Sequence, residues 1–119
     1  MAFLPTYFGP RDFLKGELLV YRWIELLSDD YRGGYWHFYE IPGGFYLAPA
    51  GYTELRIRWP LNHCDCTMSA DAAGIVATLY ALSELCEAVR GDGLVDRYHA
   101  LKAFALEHPE VAAIYAAID

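Results

Sequence analysis

The chain has 119 residues, 55% of them apolar and 21% charged, a length and balance that suit one compact hydrophobic core and argue against a disordered adaptor. Its formal net charge of −7 is uneven: seven acidic and six basic residues precede Leu61, whereas nine acidic and three basic residues occur from Leu61 onward. That balance disfavours binding to a phosphate backbone and favours partners with basic surfaces.

In chain order, residues 12–29 read as an amphipathic helix. Lys15, Arg22, Glu25 and Asp29 form a solvent stripe opposite Phe13, Val20, Ile24 and Leu27. Glu17 falls within the apolar face, where a carboxylate needs a hydrogen-bonding partner and is read as structural. After Gly33-Gly34 the period drops to two. Residues 35–40 and 45–48 read as an aromatic-rich hairpin around Pro42-Gly43-Gly44. Trp36, Phe38 and Glu40 share one face of its first strand, and Tyr35, His37 and Tyr39 share the other. Leu55, Ile57 and Trp59 alternate with Arg56 and Arg58 in a third strand. Residues 62–68 read as a fourth, with Cys64, Cys66 and Met68 on its apolar side.

From Ser69 the pattern is helical. Ser69 is a good N-cap, and Asp71 lies in the first turn, where the helix dipole favours an anion. The helix predicted to run to Arg90 is apolar almost all round. Its small residues Ala70, Ala72, Ala73, Gly74, Ala77 and Ala81 suit close approach to the sheet. Gly91-Asp92-Gly93 breaks the pattern; Leu94, Tyr98, Leu101 and Ala105 mark a helix over 94–106, and Pro109 starts a last one with Val111, Ile114, Tyr115 and Ile118 as its docking face. The expected fold is α+β over one domain, 1–119: an N-terminal helix, an antiparallel sheet of three to four strands, then three helices. The helices are expected on the single sheet face that bears Trp36, Phe38, Leu55, Ile57 and Trp59.

The stretch before Phe13 lacks a basic segment followed by a long apolar run, and the longest weakly polar run, 72–83, is short of the roughly 20 residues that a bilayer span requires. With three cysteines, Cys64, Cys66 and Cys86, an odd count with two in close succession, the expectation is a cytoplasmic protein without a membrane partner.

Little in the chain converges on chemistry. His63-Cys64-Asp65-Cys66 resembles half of a metal motif, but no second Cys/His pair stands at finger-like spacing, so no metal is expected. Ser69 or Cys66 with His63 and Asp65 would make a triad only on paper, because neighbours on a strand point to opposite faces. No Gly-rich phosphate loop or nucleophile elbow is present, so neither cofactor nor catalytic residue is assigned. Tyr35, His37, Tyr39, Arg56 and Arg58 suggest a single-strand nucleic-acid platform if they share a face, a reading that conflicts with the net charge. Cross-strand ring pairs shielded by arginines are the preferred account of them.

The blocks Leu4-Pro5-Thr6-Tyr7-Phe8-Gly9, Gly16-Glu17, Asp30-Tyr31-Arg32-Gly33-Gly34-Tyr35-Trp36, Gly43-Gly44-Phe45-Tyr46-Leu47-Ala48-Pro49 and Ser69-Ala70-Asp71-Ala72-Ala73-Gly74-Ile75 resemble the ArdB/KlcA antirestriction family. Asp96-Arg97-Tyr98-His99, Glu107-His108-Pro109-Glu110 and Ala117-Ile118-Asp119 continue that pattern collinearly. The chain departs from it around 61–67. The resemblance implies a non-catalytic inhibitor of host type I restriction-modification enzymes, acting directly or indirectly to protect incoming mobile-element DNA, with no stable DNA binding of its own. The candidate partner-binding residues are the acids Asp92, Asp96, Glu107, Glu110 and Asp119, together with Tyr35, His37 and Tyr39. An alternative mechanism is an acidic DNA mimic occupying the enzyme's DNA cleft, whose affinity would fall steeply with salt.

Overall fold

The structure, a computed structural model, describes residues 13–59, 64–88 and 92–118; the side chains of residues 13–17, 64, 88 and 92 fall outside that description. Helix α1 (Phe13–Leu27) leads into two hairpins, β1 (Trp36–Ile41) with β2 (Gly44–Pro49) and β3 (Glu54–Trp59) with β4 (Cys64–Ser69). Helices α2 (Ala70–Ala88), α3 (Asp92–Leu106) and α4 (Val111–Ile118) follow. The class is α+β, and the order of elements is the one the periodicities predict.

Hydrophobic period accounts for most of the packing. Val20, Ile24 and Leu27 are buried on α1, one above the other at helical spacing, while Leu18, Arg22, Glu25 and Leu26 are exposed. On β3, Leu55 and Ile57 are fully buried and Arg56 and Arg58 are exposed, as alternation requires. Helix α2 is buried at every position from Ala72 to Leu79, and again at Ala81, Leu82 and Leu85, which makes it the axis of the core. It contacts α1, α3, α4 and strands β2, β3 and β4.

The four strands do not join into one sheet. They form two separate two-stranded antiparallel sheets, β1–β2 and β3–β4. The reason lies at Leu47, which pairs in register with Phe38 of β1. Its backbone N–H donates to the buried Thr78 Oγ1 at 3.1 Å, and the Thr78 hydroxyl donates to the Gly74 carbonyl at 2.8 Å. A Cβ added at Gly74 would stand 2.3 Å from the Leu47 carbonyl oxygen and 2.5 Å from Ala48 Cα. Helix α2 therefore lies against the backbone of β2, and a hydroxyl of that helix takes the hydrogen bond that a further strand would otherwise supply. All six residues of β2 are buried, with α3 covering the strand as well, through Ala100 and Arg97 at Gly44 and Phe104 at Tyr46.

The same arrangement corrects the expected sheet face. Leu55 and Ile57 point into the core, but Phe38 is 43% exposed because its strand is the outer member of a two-stranded sheet. Trp36 is half-buried, its ring 5.0 Å from that of Tyr21, and its indole N–H donates to Tyr31 OH at 2.9 Å. Trp59 packs on a separate ring cluster, 5.3 Å edge-on from Trp23, which in turn stacks on Tyr80 at 4.5 Å.

The hairpin turn is carried by Pro42 and Gly43 between the paired residues Ile41 and Gly44. Gly43 takes φ +78°, a left-handed conformation that side chains disfavour. In the second hairpin, Arg56 forks onto Asp65 across the strands, with Nε at 2.8 Å and an Nη at 2.9 Å from the two carboxylate oxygens. This exposed pair holds the Asp65 carboxyl below its usual range.

Candidate functional site

The junction of β4 and α2 gathers five polar side chains from three parts of the chain. Ser69 caps α2, its Oγ accepting the Ala72 N–H at 3.1 Å. Asp71 follows in the first turn, beside the positive end of the helix dipole. From β2, Tyr46 donates its hydroxyl to Asp71 Oδ1 at 2.6 Å, and His108 Nε2 stands 2.8 Å from Asp71 Oδ2. His108 Nδ1 accepts the Glu110 N–H at 3.0 Å. With Nδ1 an acceptor, the ring carries its proton on Nε2 and donates it to Asp71. The Glu110 carboxylate returns to Ser69, accepting both its N–H, at 2.8 Å, and its hydroxyl. The approach to α4 is thereby latched onto the start of α2.

The burial of these groups differs. The His108 side chain is only 9% exposed, whereas that of Asp71 is 40% exposed. Tyr46 is buried, and burial, followed by its hydrogen bond to Asp71, pushes its phenol well above the ordinary range. It is therefore a fixed donor and not a base.

Outside Asp71 lies an open cleft of about 270 Å³. His37 and Tyr39, neighbours on one face of β1, form one wall; the turn through Gly51 to Thr53 forms another, and Ser69 and Asp71 close the base. Tyr39 stacks on its register partner Tyr46 with ring centroids 5.0 Å apart. Tyr52 is anchored, its hydroxyl accepting the Arg32 N–H and donating to the Gly33 carbonyl, each at 2.8 Å.

Of the residues singled out from the sequence, His37 and Tyr39 meet in this cleft. Tyr35 does not: it precedes β1, is 88% exposed, and lines a different depression with Tyr21, Tyr31, Trp36 and Phe38. Asp96 on α3 and Glu107 just beyond it are exposed. Glu110 is engaged with Ser69. Asp92 opens α3 with its side chain outside the description, and Asp119, His63 and the Glu17 side chain also lie outside it. Arg56 and Arg58 stand on the β3–β4 sheet, apart from the sheet that carries His37 and Tyr39, so the rings and arginines do not form a single sheet face. Cys66 and Cys86 are in no disulfide, burial raises the Cys86 thiol above its usual range, and among the described residues no group of three or more His, Cys, Asp or Glu side chains converges as a metal site.

Composition and periodicity single out neither Tyr46 nor His108, and Asp71 only as a first-turn acid. Ser69 and Asp71 carry a local signal as a cap and a first-turn acid, but His108 lies 37 positions from Asp71, and nothing local announces their contact. Chemically, each donor and acceptor in the latch holds another part of the fold. The exposed side of Asp71 faces the cleft beside the His37 and Tyr39 rings.

Residues 29–119 match the model of the antirestriction protein family. The whole chain is 54% identical over 124 residues to the antirestriction protein KlcA of Escherichia coli, of which it spans 87%. It is also 39% identical to the putative antirestriction protein YubI of Escherichia coli strain K12, spanning 89% of that protein. Among solved structures it is similar, at a TM-score of 0.87 and 51% identity over 99% of this chain and 87% of the other, to one from work on the KlcA and ArdB proteins. Those proteins were described as having a novel fold and antirestriction activity against type I DNA restriction systems in vivo but not in vitro. By sequence over its whole length and by the arrangement of its helices and paired hairpins, the chain belongs to the antirestriction protein family.

Proposed function

We propose that the protein protects incoming mobile-element DNA in the cytoplasm by inhibiting a host type I restriction-modification enzyme through non-catalytic protein contact. Its likeness to KlcA over the full chain carries this reading. Two features of the chain support it. The polar groups at the β4–α2 junction are taken up in holding the fold, with Ser69 capping α2 while Glu110 accepts its N–H and hydroxyl, and the net charge of −7 opposes DNA as a direct ligand. Activity of the solved relatives in vivo but not in vitro favours a contact that needs a component of the cell, or a step such as translocation, over simple occupation of the enzyme's DNA cleft.

The test is plating of modified and unmodified phage on cells carrying a type I system, with and without the protein. Protection of unmodified phage alone is expected; equal restriction in both strains would reject the reading. Mimicry of DNA by acids is the second reading, favoured by the exposure of Asp96 and Glu107. It predicts loss of DNA binding by the restriction enzyme in the protein's presence, relieved by salt. Intact DNA binding with lost cleavage excludes it.

A further inference from the structure

The cleft above Asp71 has a chemistry that selects its occupant. Its base is a carboxylate whose two oxygens each hold one fixed donor, Tyr46 OH at 2.6 Å and His108 Nε2 at 2.8 Å. A carboxylate has about four acceptor directions, so further bonds are available on its exposed side. With Nδ1 accepting the Glu110 N–H, His108 meets Asp71 as a neutral donor, and the end of the α2 dipole offsets only part of the Asp71 charge. A second carboxylate, Glu110, sits on the neighbouring Ser69. No Lys or Arg is among the described residues that line the cleft, and its side wall presents the Tyr39 ring, 39% exposed and backed by Tyr46.

We infer that this cleft receives an arginine side chain from a protein partner, an assignment that rests on the contact-inhibitor reading. A guanidinium is planar, always charged and weakly hydrated. It can lie on the Tyr39 face while its N–H groups reach Asp71. Phosphate and carboxylate ligands are repelled by the same base. The latch holds the acid in place before binding, so little ordering accompanies capture of the partner.

The intact protein titrated with Nα-acetyl-arginine amide, followed by backbone amide NMR shifts, tests the assignment. Saturable shifts at Tyr39, Thr53 and Asp71 in the millimolar range are expected. The neutral isostere Nα-acetyl-citrulline amide should leave them unmoved, and D71N should weaken arginine binding about tenfold or more. Equal response to citrulline, or an unchanged affinity in a folded D71N protein, overturns the inference. Because Asp71 also belongs to the latch, Tyr39→Ala provides a second arm that removes the stacking surface and should weaken the same titration. In the phage assay, both folded variants should lose protection. Protection by the parent and equally by both variants rejects the cleft but keeps the antirestriction reading. Arginine binding by a parent protein that gives no protection rejects the antirestriction reading, while the cleft's chemistry stands.

Discussion

Gly74 of α2 and Leu47 of β2 approach so closely that a methyl group on the glycine would meet the Leu47 carbonyl oxygen at 2.3 Å. The neighbour at that distance is backbone, which cannot rotate away as a side chain can. This contact places the central helix along the edge of the first hairpin and separates the two sheets.

Gly74→Ala should therefore destabilise the fold by at least the ~1–3 kcal/mol typical of overpacking. Gly93 of α3 meets nothing within 4 Å and is exposed in the first turn, so Gly93→Ala should be neutral or stabilise by at most ~0.5 kcal/mol. Urea unfolding of the two variants measures the contrast. A Gly74→Ala protein as stable as the parent would refute the close approach.

Thr78→Val preserves shape but removes the acceptor for the Leu47 N–H. A buried donor left without a partner costs about 1–3 kcal/mol. Thr78→Ser should retain most of the parent's stability, and exchange of the Leu47 amide should accelerate in the valine variant only.

Tyr46 links stability to alkaline pH. Its phenol is raised in the fold by burial and by the bond to Asp71, so the unfolded chain, titrating near the ordinary value of about 10, loses its proton first. The contribution is complete below that value and declines as pH rises toward the higher folded one. Unfolding midpoints should fall above pH ~10 more steeply in the parent than in Tyr46→Phe.

The Arg56–Asp65 fork acts at the opposite end of the scale. The Asp65 carboxyl is depressed chiefly by its hydrogen bond to Arg56, so its contribution is present above the ordinary aspartate value of about 3.9 and disappears as pH falls through the lower folded value. Both side chains are half exposed, and the effect should be small and screened by salt. Acid titration of stability in Asp65→Asn should lack this component.

His108→Ala removes the ring that joins Asp71 to the approach to α4. Faster hydrogen exchange is expected across Val111–Ile118, with the β3–β4 hairpin unchanged. Uniform protection of α4 in the variant would show that the latch does not hold the helix.

Sequence periodicity alone determined the inward faces of α1, β3 and α2. Val20, Ile24 and Leu27 at helical steps, Leu55 and Ile57 against Arg56 and Arg58, and the nearly unbroken apolar run after Ser69 all point where the structure has them. Periodicity reports that a face is inward because burying apolar surface is favourable in any direction. It does not report which element covers that face. Only the tertiary structure decided that α2, through Gly74 and Thr78, lies against β2, leaving two sheets and an exposed Phe38. It also turned Glu110 onto Ser69, 41 positions away, and brought Asp71, Tyr46 and His108 together beside His37 and Tyr39. Such polar partnerships depend on the positions of single atoms, and their specificity has no repeating signature along the chain.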